Sequence, residues 1–253
     1  MKQFFALYVK ELKANKILFL FVLLLIVGLN VYGLIQIEKV SQEHFSSNRF
    51  PVAIIWTILS AFSLALSPPF LLAHAFNAEW KSETHYQMFA LPVPQYTVNL
   101  AKIAVVASMG FVGGGIVIST FYLSMIQIAN LLSGPKLVPF EGKEVISFFD
   151  FGFLFGLMLV AYMVFSLGLV TGMEGIKFSV KRYRGLTAVV FFALAVFLYI
   201  RFFQQGKVAL DFLGHISVTL SGQIELAPFV YTILMGVIFM IIGLVVYEKR
   251  AEI

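Results

Sequence analysis

The sequence contains no cysteine and has few charged residues. Only 12% of its 253 residues are charged and 60% are hydrophobic, whereas a soluble domain has about twice this charged share. The lack of cysteine excludes disulfide bonds. The excess of apolar over charged residues predicts an integral membrane protein that crosses the bilayer several times.

Ionisable side chains are nearly absent from the long apolar segments. Asp150 stands at the outer end of one such segment and His74 near the inner end of another. Ionisable groups in mid-membrane mark proton relays and ion pathways, so their scarcity argues against a proton- or sodium-driven carrier. A channel whose filter is a ring of charged side chains is disfavoured for the same reason.

Motifs for hydrolysis and for nucleotide binding are missing as well. The chain has neither G-x-S-x-G nor H-E-x-x-H. The nearest group of ligand-type residues, His74, Glu79 and His85, has spacings of five and six, which do not share one helix face. No G-x-x-x-x-G-K-S/T is present, so the chain has no phosphate-binding loop of its own. We therefore predict no catalytic residue, no metal site and no enzymatic activity in this chain.

Six long apolar segments with almost no charged residues are present, and most reach the ~20 residues needed to cross a ~30 Å hydrocarbon core. Because backbone groups in hydrocarbon must be hydrogen-bonded internally, the segments are predicted to be helices. They are residues 17–37, 52–76, 103–129, 148–172, 186–203 and 228–247. We expect an all-α integral membrane fold with six transmembrane helices in one transmembrane domain, residues 1–253.

The segment before the first span, residues 2–15, is predicted to be an amphipathic helix. At about 100° per residue, Phe4, Phe5, Tyr8 and Leu12 fall on one face, and the lysines fall elsewhere. Such a helix lies flat among the lipid headgroups. The alternative is a positively charged lead-in that only sets the topology.

The distribution of Lys and Arg predicts the orientation. With the amino terminus in the cytoplasm, 12 of the 18 basic residues fall on the cytoplasmic side and six on the outer side. The positive-inside rule therefore predicts that both termini are cytoplasmic. The same distribution accounts for the net charge of +5 without a nucleic-acid partner. We expect a multi-pass protein of the cell membrane, namely of a bacterial cytoplasmic membrane.

Three G-x-x-x-G pairs predict places where helix backbones touch. They are Gly110 and Gly114, Gly152 and Gly156, and Gly168 and Gly172. The alternatives are packing within one chain and packing between two copies of it.

The link between the second and third spans, NAEWKSETHYQMFALPVPQYT at residues 77–97, is too long for a simple turn. Asn77 is a candidate helix cap, and Pro92 and Pro94 stop and redirect the chain before the third span. Trp80 is an aromatic of the kind enriched at binding hot spots. The pattern predicts a short rigid element that docks on a cytoplasmic partner. The alternative is a loop that contacts lipid headgroups.

Two stretches resemble the membrane subunits of type-2 ABC exporters. Lys10 and Glu11 in YVKELKANK are similar to the Lys-Glu motif that ends the amphipathic connecting helix of those permeases. EWKSETHYQMFALPVPQYTVNLAK resembles their pattern E-R-x-x-G-T-x-x-x-L-L-x-x-P-V-S-R-x-x-x-x-x-x-K, which lies between helices 2 and 3. The stretch retains Glu79, Thr84, Pro92, Val93 and Lys102, and it departs from the pattern at Trp80, Glu83, Pro94 and Gln95.

The resemblance implies that two permease chains, identical or different, assemble with two cytoplasmic P-loop ATPase subunits. ATP and Mg would then bind on the partner, and no cofactor would bind in this chain. Coupling to the ATPase is implied for Ala78, Glu79, Trp80, Lys81 and Glu83, with help from Lys10 and Glu11 of the connecting helix.

A second contact with the ATPase is implied for the basic segment GIKFSVKRYRG between spans 4 and 5. Its basic residues are Lys177, Lys181, Arg182 and Arg184. Positive charge facing anionic lipid is an equally good interpretation of this segment. On the outer side, residues 204–227 are too polar to cross the membrane and too apolar to be free, so we expect an interfacial cap.

The implied function is export of an apolar or amphipathic substrate, such as a peptide, a lipid-like molecule or a drug. The 28 phenylalanines favour such a substrate. Two other classes compete with this interpretation: a membrane scaffold or sensor subunit that does not transport, and an intramembrane enzyme that uses His74, Glu79 and His85.

Overall fold

The computed structural model describes residues 2–39, 49–81, 93–132, 148–180, 182–218 and 222–250. Within these ranges the chain forms seven α-helices and one short β-hairpin. The helices are α1 (Lys2–Ala14), α2 (Lys16–Glu38), α3 (Arg49–Lys81), α4 (Gln95–Leu132), α5 (Phe148–Phe178), α6 (Arg184–Ala209) and α7 (Ala227–Arg250). A 3-10 turn (Asp211–Leu213) and the strands β1 (His215–Val218) and β2 (Gly222–Glu225) connect α6 to α7.

Six of these helices, α2 to α7, are long and apolar enough to cross a membrane. This result confirms the predicted helical fold with six candidate membrane spans and supports a multi-pass membrane protein. At one end of the bundle three helices extend past the predicted limits, because α3 continues to Lys81, α4 begins at Gln95 and α5 continues to Phe178. The added turns carry polar residues that find partners on neighbouring helices.

This end of the bundle is here named the amino-terminal face. It gathers α1, the last turns of α3, α5 and α7, and the first turns of α4 and α6. The Tyr8 hydroxyl of α1 lies 2.9 Å from the Ser108 hydroxyl of α4, and Trp80 near the end of α3 contacts Tyr247 near the end of α7. The first described helix and the end of the last one therefore both lie at this face. The cytoplasmic location of this face remains a prediction.

The six spans divide into two groups of three. Each of α2, α3 and α4 packs on the other two, and each of α5, α6 and α7 does the same. Contacts between the groups run mainly from α3 and α4 to α5. The main apolar core lies at this junction, where Leu72 and Phe76 of α3, Val106 of α4 and Met163 of α5 are buried together.

Two consecutive prolines, Pro68 and Pro69, lie inside α3. Since proline has no N–H, Pro69 leaves the Ala65 carbonyl without its helical donor. The Tyr162 hydroxyl of α5 donates to that carbonyl instead. Pro68 likewise leaves the Leu64 carbonyl without its helical donor, and the Ser67 hydroxyl donates to that carbonyl at 3.3 Å. Both acceptors are therefore satisfied, as the hydrocarbon region requires.

α1 packs on α4 through a face that overlaps only partly with the predicted apolar face, since Phe4 and Tyr8 contact α4. Leu7 and Glu11 are buried, whereas Phe5 is 66% exposed and Leu12 is 40% exposed. The sequence prediction weighs apolar residues alone, but Glu11 faces Lys102 of α4 in a buried ion pair. The rotation of α1 is therefore set by a charged contact as well as by apolar ones.

The segment between α6 and α7 folds as the 3-10 turn and an antiparallel hairpin. His215 is paired with Glu225 and Val218 with Gly222. Lys207, in the last turn of α6, forms an ion pair with Glu225. The hydrogen bond from Lys207 lowers the pKa of the Glu225 carboxyl below its usual value. The segment thus has a fold of its own that is tied back to α6, and its position at a membrane interface remains a prediction.

Candidate functional site at the amino-terminal face

Lys102 is the centre of a buried ionic cluster. Its side chain is 0% exposed, and its Nζ lies 3.4 Å from Glu11 Oε1 and also contacts the Glu79 carboxylate. Removing an ammonium group from water is costly unless carboxylates or dipoles take the place of the water. Two carboxylates do so here. The cluster ties α1, α3 and α4 together at one point.

The helix extensions create this cluster. Because α4 begins at Gln95, Lys102 stands about two turns inside the helix. Because α3 continues to Lys81, Glu79 is held at a fixed position beside it. The predicted limits of spans 2 and 3, residues 76 and 103, leave Glu79 and Lys102 outside the spans. The helices are longer than the apolar segments because the polar residues of the added turns are paired with one another.

Trp80 is the centre of a second cluster. Its ring stacks on Phe178 of α5, with 4.4 Å between centroids and 4° between planes. Its Nε1 donates to the Tyr247 hydroxyl of α7 at 3.3 Å, and the guanidinium of Arg184, the first residue of α6, lies 5.3 Å over the ring. Stacking, hydrogen bonding and a cation–π contact therefore join four helices at one half-buried side chain. Docking of Trp80 on a partner remains a prediction.

Asn77, Glu174 and Lys177 form a third polar cluster, between α3 and α5. Lys177 Nζ lies 2.9 Å from Glu174 Oε2 and also donates to Asn77 Oδ1. Asn77 itself donates to the Ala73 carbonyl at 2.7 Å, so it lies inside α3 and the predicted helix cap at this residue is wrong. The cause is that α3 continues from the span into the predicted docking element without a break. Lys177, an expected partner contact, is half-buried and paired within the chain.

The remaining residues predicted to contact the ATPase differ in exposure. Those that are exposed are Lys10, Ala78, Lys81, Arg182 and Arg184. Glu83 and Lys181, and also His85 of the competing metal hypothesis, lie outside the described residues. Among the residues that the structure does describe, no group of three His, Cys, Asp or Glu side chains could hold a metal ion.

The first predicted glycine pair lies between the two groups of spans. Gly110 packs on Met163 of α5, and Gly114 packs on Leu159 of the same helix. A Cβ added at either position would meet these side chains at less than 3.0 Å. Glycine therefore allows α4 and α5 to approach closely at this crossing.

A glycine seam joins α5 to α7. Gly168 meets Gly236, and Gly175 meets Gly243 one heptad further along both helices. A Cβ added at Gly236 would lie 2.6 Å from the Val164 carbonyl oxygen. The two backbones are therefore in direct contact, and α5 and α7 share the largest helix interface among the described elements. A search for G-x-x-x-G misses Gly236 and Gly243, because their spacing is seven.

The other predicted glycines behave in two ways. Gly172 lies against the Phe191 ring of α6 and near the Phe239 carbonyl of α7. Gly152 and Gly156 have no atom of the described chain within 4 Å of an added Cβ beyond their own helical surroundings. Two of the three predicted pairs thus form helix contacts inside the chain.

Asn30, Ser60 and Thr120 form a hydrogen-bonded network inside the first group of spans. Ser60 Oγ and Thr120 Oγ1 lie 2.9 Å and 2.7 Å from Asn30 Oδ1. Each hydroxyl also lies 2.8 Å from a carbonyl of its own helix, that of Thr57 for Ser60 and that of Ile116 for Thr120. The network joins α2, α3 and α4 without any charge. The one sequence signal for it is an asparagine inside the apolar segment 17–37.

Comparison with known proteins adds no relative to this description. No protein-family model, curated protein or solved structure matches the chain. The clusters at the amino-terminal face and the resemblance of two short stretches are therefore the basis for a functional assignment.

Proposed function

We propose that this chain is the permease subunit of an ATP-driven exporter and that it works with a separate ATPase subunit. The observation that carries the proposal is the ionic cluster of Glu11, Glu79 and Lys102. These residues belong to the two stretches that resemble type-2 ABC exporter permeases. They meet in space although Glu11 and Lys102 are 91 residues apart. A contact between the two stretches is what a joint role in coupling requires.

The ionic cluster offers a mechanical connection from the amino-terminal face to two spans. A partner that moves α1 or the end of α3 also displaces Lys102, because separating these groups would leave a buried charge without compensation. The displacement then passes along α3 and α4, which act as rigid helices. In the proposed cycle, ATP binding closes the ATPase dimer, the closure tilts α3 and α4, and access to the substrate switches between leaflets.

The Trp80 cluster extends this connection to the second group of spans. Phe178, Tyr247 and Arg184 bind the end of α3 to α5, α7 and α6. In the proposal Trp80 transmits movement within the chain, and the exposed residues beside it contact the ATPase. Ala78 and Lys81 on α3 are such residues, and Lys10 on α1 is a further exposed residue of the amino-terminal face.

The proposed assembly contains two permease chains and two P-loop ATPase subunits, which hold the ATP and Mg. We place the amino-terminal face and both termini in the cytoplasm, and the assembly in a bacterial cytoplasmic membrane. The 12-to-6 distribution of Lys and Arg supports this orientation. An apolar or amphipathic molecule, such as a peptide, a lipid-like molecule or a drug, is the proposed substrate.

We expect a gene for a P-loop ATPase beside the gene of this chain, and the test is co-expression of the two proteins, followed by purification and reconstitution. We expect the two proteins to co-purify and vesicles to transport a hydrophobic dye only when ATP is hydrolysed. Trp80→Ala should leave expression and insertion intact but lower the amount of dye moved per ATP. Trp56→Ala, the same change at the far end of α3, is the matched control and should keep this ratio.

Two outcomes would favour the competing functions. Normal activity in cells whose ATPase lacks its phosphate-binding lysine would indicate a scaffold or sensor. Turnover of a substrate by the purified chain alone, lost on joint replacement of His74, Glu79 and His85, would indicate an intramembrane enzyme.

A further inference from the structure

We propose that Arg182, Tyr183 and Arg184, at the start of α6, bind the phosphate headgroup of an anionic phospholipid. These three residues are named the junction patch. All three are exposed, Tyr183 to 69%. This inference does not depend on the proposed exporter function.

The position of the junction patch relative to the bilayer follows from α6 itself. α6 is the least buried of the six candidate spans, so its apolar side chains need lipid to cover them. Leu186, in the first turn, is already 61% exposed. Arg184, the first residue of α6, precedes Leu186 by two residues and so lies only ~3 Å further along the helix axis. Arg182 stands two residues before Arg184 in the chain. The junction patch therefore stands at the level of the headgroups of the lipids that cover α6.

The charge of the junction patch matches an anion. The sequence contains no Asp or Glu from Gly175 to Leu210. The nearest preceding carboxylate, that of Glu174, already forms an ion pair with Lys177 and accepts a hydrogen bond from Asn77. Neither arginine of the junction patch forms an ion pair with a carboxylate in the part of the chain that the structure describes. A lipid phosphate at this level would supply the missing negative charge.

The arginine side chains are held in positions suited to phosphate. Arg184 Nε donates to the Val180 carbonyl at 3.2 Å, which leaves the four terminal N–H groups of the guanidinium for another acceptor. The Arg182 guanidinium lies 5.8 Å over the Tyr183 ring. A planar guanidinium binds phosphate through two parallel hydrogen bonds, and a tyrosine beside it is a typical residue of the headgroup layer.

The contact between Arg184 and Trp80 makes lipid binding observable. The guanidinium that would bind phosphate is the one that lies 5.3 Å over the indole ring. A phosphate would reduce the effective charge over the ring and so change the emission of Trp80. The chain has two tryptophans, and Trp56→Phe leaves Trp80 as the single reporter.

The experiment measures Trp80 emission of the Trp56→Phe chain in vesicles of phosphatidylcholine with increasing phosphatidylglycerol. We expect a saturable change with the anionic fraction. In an Arg182→Gln/Arg184→Gln background the change should be lost, and Arg182→Gln alone, which does not touch Trp80, should weaken the apparent affinity about fivefold. Lys39→Gln/Arg201→Gln removes the same charge at the other end of the bundle and should leave the titration unchanged.

Four results would overturn the proposal. The first is an emission that does not depend on phosphatidylglycerol, and the second is the same dependence in the Arg182→Gln variant as in its parent. The third is a change that inorganic phosphate produces equally well in pure phosphatidylcholine, because a free anion would then be the ligand. A change that requires a soluble protein partner in place of the anionic lipid would assign the junction patch to a protein contact and likewise exclude a lipid site. Circular dichroism of each variant shows that the helices are retained.

Discussion

In the first group of spans, α2 to α4, polar side chains join the helices, whereas in the second group, α5 to α7, close backbone contacts and aromatic rings are added to the hydrogen bonds of Tyr199 and Tyr231. The first group contains the Asn30 network inside the bundle and the Lys102 cluster at its end. The second contains the seam of Gly168 and Gly236. Its aromatic contacts include Phe165 with Tyr199 at 4.7 Å and Tyr199 with Tyr231 at 5.5 Å.

The difference shows two solutions to one problem. Lipid tails are as apolar as leucine, so the hydrophobic effect does not drive one transmembrane helix to associate with another. The first group uses hydrogen bonds and ion pairs. Each of these depends on one partner atom, and a donor that loses this partner can bond to another acceptor. The seam of α5 and α7 in the second group uses close packing, which depends on shape along several turns and has no alternative partner. The two groups should therefore respond differently to substitution.

The largest effect is expected for Lys102→Met. It leaves Glu11 and Glu79 close together without the buried ammonium between them. Breaking a buried ion pair by removing one partner costs about 3–5 kcal/mol. We expect a loss of that order in the free energy of unfolding, measured by denaturant titration in mixed micelles.

The triple variant Glu11→Gln/Glu79→Gln/Lys102→Met separates charge from packing. Replacing all three charges should recover a large part of the stability that the single variant loses, because no uncompensated charge remains. A triple variant as unstable as Lys102→Met would show that shape, and not charge, holds α1 to α4.

Gly236→Leu is expected to have the next largest effect. A side chain at this position collides with the backbone of α5, because even its Cβ would lie 2.6 Å from the Val164 carbonyl oxygen. Overpacking typically costs about 1–3 kcal/mol, and a rigid backbone places this site at the upper end. The readout is the midpoint of thermal unfolding in detergent. Gly28→Leu, where an added Cβ meets no atom within 4 Å, is the matched control, and an equal loss in both variants would contradict the seam.

Asn30→Leu is expected to have a smaller effect than either. It removes the hydrogen bonds of Ser60 and Thr120 to the amide oxygen. Hydrogen bonds between membrane helices contribute about 0.6 kcal/mol on average, so a loss of about 1 kcal/mol is expected by the same denaturant titration. Ser63→Ala removes a hydroxyl that donates to the Leu59 carbonyl of its own helix, and it should cost less. If Asn30→Leu lost as much free energy of unfolding as Lys102→Met, the expected difference between neutral and charged contacts would be contradicted.

The smallest effect is expected for the ion pair of Lys207 and Glu225, which lies outside both groups. Because the pKa of Glu225 in the folded chain lies below the usual value of 4.5, the pair stabilises the fold above that value. The contribution is lost as the pH falls through the lowered folded pKa. The difference in melting temperature between the wild type and Glu225→Gln should be present at neutral pH, vanish in acid and shrink in high salt. A difference that grows in acid would contradict the assignment.

The spans could be predicted from the sequence, whereas most contacts between them could not. Long apolar segments are a local signal, and they locate six helices without knowledge of any partner. The resemblance drew attention to Glu11, Glu79 and Lys102, but their meeting depends on helices that continue past the apolar segments. The cap at Asn77 failed as a prediction because a local capping signal does not reveal that the preceding helix is still continuing.

The contacts missed by the sequence analysis have partners far away in the chain. Asn30 is 30 residues from Ser60 and 90 from Thr120, and nothing in an apolar helix indicates which of its neighbours carries a hydroxyl. Gly168 was found as half of a G-x-x-x-G pair, but its partner Gly236 belongs to a helix with a different spacing. Helix association in lipid is encoded by pairs, and one sequence shows only single members of each pair.

The Asn30 network has a consequence for how α2 can move. A hydroxyl carries one proton, so Ser60 can donate either to Asn30 or to the Thr57 carbonyl, but not fully to both. The same choice holds for Thr120 and the Ile116 carbonyl. If α2 shifts away, both protons turn to their own helices and only the amide oxygen is left without a donor. A movement of α2 away from α3 and α4 would therefore leave one polar atom of these bonds, the Asn30 amide oxygen, in need of a new donor.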